Sequence, residues 1–261
     1  MISLEAVNFG YQDKPIFVNF NWNITPGETW AVIGPSGCGK STLLALLSGL
    51  IQPQSGRVSV DGAILKRPRP KTGLILQDYG LLPWATVREN ASLGIQVRSF
   101  YGADGVHAPS EENQFSDVDV MLDRLGLKDI SGKYPGQISG GQRQRTAIAR
   151  TLVLHPDLFL LDEPFSSLDA PTRENLQDLI LELIAENVLT SILVTHSIEE
   201  AVMMGRNILV LNSAPNQQAI TFENPDSGRL GYRNSAAYLE MCKQVRSLLN
   251  EKNGQKFNNE K

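Results

Sequence analysis

Between the apolar run TWAVI and the helical pattern KSTLLALLSGL lies GPSGCGKST, residues 34–42. Its three glycines let the backbone wrap closely enough for successive N–H groups to point inward at one anion. The helix that opens from it adds the positive end of its dipole. The pattern predicts a phosphate cradle made of Gly34, Pro35, Ser36, Gly37, Cys38, Gly39, Lys40, Ser41 and Thr42. In such a cradle Lys40 reaches the β and γ phosphates, Ser41 ligates Mg²⁺ and Thr42 hydrogen-bonds the α phosphate. The plainer reading, an incidental glycine-rich turn, is disfavoured because a strand precedes the loop and a helix follows it. Kinases, GTPases, motors and pumps all hold phosphate this way, so the loop constrains the fold more than the function.

The rest of the chain supplies the sheet that such a loop needs. MISLEAVNF, IFVNFNWNI, TWAVIG and RVSVDG read as short strands broken by Gly, Pro and Asn turns. Residues 40–50 read as a helix and TGLILQ as another buried strand. Over residues 78–153 the pattern turns helical. It includes VDVMLDRLGL and the amphipathic GGQRQRTAIARTLVL, where Ala147, Ile148, Leu152 and Leu154 alternate with Arg143, Arg145 and Arg150. RSFYGADGVHAPSEENQFS has little periodicity and predicts an exposed loop. LFLL and SILVT then read as buried strands around the helix TRENLQDLILELIAEN, a βαβ rhythm that implies a parallel sheet. In the tail, Leu239, Cys242, Val245 and Leu249 recur at helical spacing, and NEKNGQKFNNEK is polar and expected to fray.

Size and charge narrow the classes. The chain has 261 residues, 41% of them hydrophobic and 20% charged, enough for one large folded domain or one with a subdomain. Its formal charge of −4 argues against wholesale nucleic-acid binding, which needs a basic field. Of two cysteines, Cys38 lies inside the phosphate loop, where a disulfide would be awkward; a reducing, cytoplasmic setting is expected. The N-terminal stretch carries Glu5 and Asp13 and lacks the apolar core of a signal peptide. No apolar run approaches the roughly 20 residues needed to cross a bilayer.

Further motifs add chemistry. LFLLDEP puts Asp162 and Glu163 at the carboxyl end of a buried strand, the edge where open α/β sheets bind ligands. One carboxylate there can serve a Mg²⁺ shell and the other can orient or deprotonate a water; the plain alternative is an acidic turn. ISGGQ offers Ser139 as a helix cap, with Gly140 and Gly141 leaving the helix start open to an anion. Whether this second site meets the first in one subunit is left open by spacing alone. His196 and Gln77 end strands in the same manner and are candidates to touch a γ phosphate and to place water or Mg²⁺, respectively. Tyr11 follows a strand and offers a ring to a base. His107 and His155 carry no functional expectation. Trp84 in LLPWATV is read as core in preference to a surface groove.

In order, GYQD with Tyr11, GPSGCGKST, Gln77, SGGQ, LLDEP, SSLD ending at Asp169 and VTH ending at His196 resemble the ATPase subunits of ATP-binding cassette (ABC) transporters. The resemblance covers residues 1–215; Ile138 stands where the family most often has Leu before SGGQ. It implies an α/β fold of the P-loop NTPase class in its ABC form. Its parts would be a mostly parallel core sheet, an N-terminal antiparallel β subdomain and an α-helical subdomain inserted at residues 78–153. A short C-terminal extension, 216–261, would carry a helix over 236–250. The cofactors implied are ATP and Mg²⁺, the metal being held by Ser41, Gln77 and Asp162. Glu163 becomes the general base, with His196, Gln77 and Lys40 as its catalytic companions. Two cassettes, expected to be a homodimer, would pack head to tail. Ser139, Gly140, Gly141 and Gln142 of one would then meet ATP on the other, and Asp169 would couple the two sites.

QDYGLLPWATVRENASLGI, DEPFSSLDAPTRENLQDLI and NSAAYLEMCKQVRSLL are similar to the ATPases of nitrate, sulfonate and taurine importers, and related importers of thiamine-precursor pyrimidines share such features. The implied partners are an integral membrane permease and, indirectly, a solute-binding protein. The implied place is the cytoplasmic face of the plasma membrane. A soluble cassette ATPase acting on nucleic acid or ribosomes is the alternative; such relatives usually carry two cassettes or a long coiled-coil insertion.

Overall fold

The computed structural model describes residues 1–101 and 115–254. In chain order the first elements are β1 (Ile2–Tyr11), β2 (Lys14–Ile24), β3 (Thr29–Ile33), α1 (Lys40–Ser48), β4 (Ser55–Val60), β5 (Ala63–Ile64) and β6 (Thr72–Ile75). Helices α2 (Val87–Tyr101), α3 (Phe115–Arg124) and α4 (Gly140–Leu152) follow. The chain then runs through β7 (Leu158–Asp162), α5 (Ala170–Glu186), β8 (Thr190–Thr195), α6 (Ile198–Met204), β9 (Asn207–Val210), β10 (Ile220–Glu223) and α7 (Ala236–Gly254). Two compact units result: Met1–Arg69 with Gln177 onward, and Pro70–Leu176.

In the first unit β1 and β2 form an antiparallel hairpin closed at Tyr11 and Lys14, and β1 pairs on its other side with β4. Along β2 the buried side chains Phe20, Trp22 and Ile24 recur at every second position, as a sheet with one face on the core requires. β3, by contrast, is buried at all five residues. It runs parallel to β8 along one edge and β9 along the other, and the burial of successive side chains shows that both of its faces are covered as well. The core beside it joins Ala31, Ile33, Ala201, Val202, Ile208 and Val210 to Tyr238, Cys242 and Val245 of α7. The C-terminal helix is thus part of the core, four residues longer than its spacing predicts. At its other end the expected frayed tail falls largely outside the described residues.

Buried Asn224 closes this core. Its amide donates to the carbonyls of Val202 and Gly205 at 2.7 and 2.9 Å, and its oxygen accepts from the Tyr232 hydroxyl at 2.6 Å. The last carbonyls of α6 would otherwise be orphaned in an apolar setting. α1 ends two residues short of its apolar pattern because Gly49, at φ 76°, takes the left-handed conformation that turns the chain off the helix axis.

In the second unit β6 and β7 are parallel neighbours, with Ile75 opposite Leu161. Val87, Ala91 and Ile95 make one buried stripe on α2, and Val118, Leu122 and Leu125 make another that runs through α3 to just past its end. α2 starts on a capping box: the Thr86 N–H donates to Glu89 Oε2 at 2.7 Å and the Glu89 N–H to Thr86 Oγ1 at 3.2 Å. The exposed loop expected over RSFYGADGVHAPSEENQFS proves to be helical at both ends, in α2 and α3. Its centre, including His107, lies outside the described residues.

Trp84 is not core. Its side chain is 72% exposed, although the loop that bears it is fixed. Buried Asn90 donates to the carbonyls of Leu82, Ala85 and Thr86 and accepts from the Leu82 N–H at 2.8 Å. An apolar neighbourhood in the sequence misled because the loop's own carbonyls and N–H groups, rather than the indole, are what the fold buries.

Candidate ATP site

The 34–42 loop leaves β3 at its carboxyl end. In register, Ile33 lies opposite Thr195 of β8 and Val210 of β9, so the loop and His196 emerge at one sheet edge of the first unit. Gly39 has φ 108°, and a Cβ there would strike the Ile16 side chain of β2, so this turn accepts no larger residue. Lys40 opens α1 and is only 8% exposed; its ammonium donates to the carbonyls of Gly34 at 2.9 Å and Pro35 at 3.2 Å. Both of these acceptors are neutral carbonyls. No side chain caps the start of α1 and no acidic residue lies in its first turn. A buried cation and an uncapped helix start, with no nearby negative side chain in that turn, fit a polyanion.

Cys38 is buried in the same loop, and burial pushes its thiol above the usual range. Its carbonyl accepts from the Asn216 amide at 2.8 Å. The Asn216 side-chain oxygen accepts from the Asn212 N–H at 2.8 Å, and its backbone exchanges hydrogen bonds with Ile16 and Val18 of β2. Asn216 therefore ties the phosphate loop to β2 and to the segment after β9. Sequence reasoning missed it; an Asn between Pro215 and two glutamines looks like any surface turn.

Three polar residues, Thr195, Ser197 and Glu200, hold the turn that carries His196. The Thr195 hydroxyl and buried Glu200 Oε2 lie 2.5 Å apart, and Thr195 Oγ1 accepts from the Ser197 N–H at 3.0 Å. Ser197 in turn caps α6 by accepting from the Glu200 N–H at 3.2 Å. The turn carrying His196 is pinned on both sides. Tyr11 stands at the β1–β2 turn, 53% exposed and edge-on to Phe9 with ring centres 5.1 Å apart. A half-open ring of this kind is available for stacking.

In the second unit, β6 and β7 run parallel, so Gln77 and the Asp162–Glu163 pair emerge at one strand edge. Both carboxylates are half-buried and Gln77 is exposed. Glu163 has φ 45°, a conformation that costs a residue with a side chain on the order of 1–3 kcal/mol and that clusters at functional sites. Its carbonyl accepts from the Ser166 N–H at 3.3 Å, closing a tight turn.

Farther on, Asp169 caps α5. Its carboxylate accepts from the Thr172 N–H at 3.4 Å, and hydrogen bonding to Thr172 holds its pKa below the usual range. Ser139 caps α4 by accepting from the Gln142 N–H at 3.2 Å, while Gln142 Oε1 accepts from the Ser139 N–H at 2.9 Å. A Cβ on Gly141 would come within 2.9 Å of Thr172 Cγ2, so the SGGQ turn sits directly on the start of α5. Hence the second unit gathers Gln77, Asp162 and Glu163 at one strand edge, and SGGQ against the SSLD region. Among the described residues no three His, Cys, Asp or Glu side chains converge as a metal cage. Mg²⁺ in nucleotide sites takes hard oxygen ligands beside phosphates and water, and the Ser41 hydroxyl, the Gln77 amide oxygen and the Asp162 carboxylate are each of that chemical kind.

A family profile described as "ABC transporter" matches residues 17–166, more than half of the chain. The chain belongs to the ABC transporter family. As an ABC ATPase it binds ATP with Mg²⁺. It is 39% identical over 216 residues to the taurine import ATP-binding protein TauB of Escherichia coli (strain K12), covering 82% of this chain and 81% of that one. It is 41% identical over 196 residues to the nitrate import ATP-binding protein NrtC of Synechococcus elongatus, covering 75% of this chain but 29% of that protein. Among solved structures, the dimeric cassette MJ0796 in a post-hydrolysis state with ADP and Pi superposes with a TM-score of 0.72 at 29% identity. That match covers 86% of this chain and 99% of MJ0796. CbiO1 of Clostridium perfringens, part of the ABC transporter complex cbiONQ, gives a TM-score of 0.71 at 28% identity, covering 86% and 88%. The ABC form of the P-loop fold is thereby established for this ATPase.

Proposed function

We propose that this ABC ATPase energises uptake of a small solute through a membrane permease, the solute being taurine, another sulfonate, nitrate or a related small compound. The similarity to the taurine import subunit over four-fifths of both chains carries this reading. The protein works as a pair of cassettes on the cytoplasmic face of the plasma membrane, beneath integral permease subunits that receive solute from a binding protein. The dimeric state of MJ0796 supports the pairing. Residues 1–215 form the ATPase domain, with 78–153 as its helical subdomain and 216–261 as a C-terminal extension.

Within the site, Tyr11 stacks on adenine and the 34–42 loop holds the phosphates. Lys40 draws negative charge from the β and γ phosphates. Glu163 takes the proton of the attacking water as that water's oxygen bonds to the γ phosphorus and the bond to ADP breaks. His196 hydrogen-bonds the γ phosphate. Ser41, Gln77 and Asp162 would hold Mg²⁺, which would neutralise charge on the phosphate oxygens. Ser139, Gly140, Gly141 and Gln142 complete the site on the partner cassette, and Asp169 links the two sites.

Two measurements test the proposal. Glu163→Gln should retain ATP binding and form ATP-dependent dimers while losing at least about 100-fold in turnover, the lower end of the range expected when a general base is removed. Undiminished turnover would refute the role of Glu163. Reconstituted with its permease and binding protein, the wild-type chain should support ATP-dependent accumulation of taurine, alkanesulfonate or nitrate. Accumulation of none of these would refute the solute class.

A further inference from the structure

Three segments given separate roles above are joined inside the second unit, two of the links by hydrogen bonds and the third by close packing. Tyr79, two residues after Gln77, is buried and has φ 64°, a conformation that a bulky side chain rarely adopts. Its hydroxyl and that of Ser167, two residues before Asp169, share a hydrogen bond of 2.6 Å. Its carbonyl and that of Gly80 accept from the two terminal nitrogens of Arg150, each at 2.6 Å. Arg150 lies near the end of α4, the helix that SGGQ opens. At the start of that helix, the faces of Gly140 and Gly141 lie against Leu168, and Gly141 also against Thr172. The loop after Gln77, the signature helix and the 166–169 turn therefore hold one another in place.

We propose that Tyr79 is a positioning residue: through its hydroxyl on Ser167 it sets the Gln77 loop and the Asp169 turn relative to each other, so that a displacement of either is felt by the other. The inference rests on the roles proposed above for Gln77 and Asp169. Its physical basis is that the Tyr79 backbone is clamped by Arg150 while its ring is buried. The hydroxyl is thus delivered to Ser167 at a fixed point, with little side-chain entropy left to lose.

The test is a double-mutant cycle on the full-length protein. Tyr79→Phe and Ser167→Ala each remove one hydroxyl and leave the packing nearly intact. Each should lower kcat for ATP hydrolysis about three- to tenfold, the worth of one hydrogen bond felt in the transition state. The KM for ATP and the melting temperature should stay near those of the wild type. The double variant should be no slower than the slower single, because both remove the same bond, and Ser167→Thr, which keeps a hydroxyl, should recover most of the rate. An unchanged kcat, strictly multiplicative losses, or a loss that follows a lowered melting temperature would overturn the proposal. Glu163→Gln run in parallel separates the two levels. If it still hydrolyses ATP, the functional reading fails; if it is inactive while Tyr79→Phe is as fast as the wild type, only the role of Tyr79 fails.

Discussion

The phosphate loop depends on a residue far from it in sequence. Asn216 is 178 positions from Cys38, yet its amide is what the Cys38 carbonyl accepts from in the buried loop. Replacing Asn216 by Ala strands that carbonyl and the Asn212 N–H, and should cost about 1–3 kcal/mol of stability. It should also raise the KM for ATP, because Lys40 anchors on the same loop. Denaturant melts and ATPase kinetics measure both, and an unchanged KM would detach Asn216 from the site. The neighbouring thiol gives a pH prediction. Burial raises the Cys38 pKa, so at any given neutral or mildly alkaline pH it holds less reactive thiolate than a free cysteine. Alkylation by iodoacetamide at pH 7–8 should therefore be slower than for glutathione, and should continue to accelerate above the pH at which glutathione levels off. At this scale the phosphate loop itself is legible in sequence because one short segment supplies the whole pattern. Asn216 and Glu200 are not, since what makes them matter is a burial that other segments create.

At the scale of elements, periodicity reads well where an element is long or bounded by its own signals. α1 begins at a glycine turn, and SGGQ carries its capping box within four residues. β9 and β10, four residues each, went unread because so short a run has too little pattern to separate it from a loop. The hairpin they form leads into the turn that carries Asn224, on which the end of α6 depends. Asn224→Ala would leave the Val202 and Gly205 carbonyls and the Tyr232 hydroxyl short of a partner in the core. The expected loss is about 2–4 kcal/mol, near the upper end for a single polar deletion, read as a shift of the urea midpoint at unchanged m-value. A change within a few tenths of a kcal/mol would mean that water or a neighbour replaces the amide at no cost.

For the whole molecule, the informative surface is the one that the fold leaves open. Asn90 holds the 82–85 loop rigid while Trp84 stands in solvent, so a large apolar side chain is presented on a fixed frame instead of being buried. Such exposure suits a protein partner, and the permease is the partner proposed. Trp84→Ala should fold normally and keep basal ATP hydrolysis while losing co-purification with the membrane subunits. Intact assembly would assign the indole no part in docking, and a lowered melting temperature would return it to a packing role. By itself the sequence determined the fold class of this chain and that it holds a polyphosphate, because those signals are local: glycines in a turn, a lysine at a helix start, carboxylates after an apolar strand. Only the tertiary structure decided that Trp84 faces outward, that α7 belongs to the core, and that Tyr79 meets Ser167 across 88 positions of chain. Those outcomes turn on which groups a packed interior must satisfy, and that is set by segments brought together from the whole length of the chain.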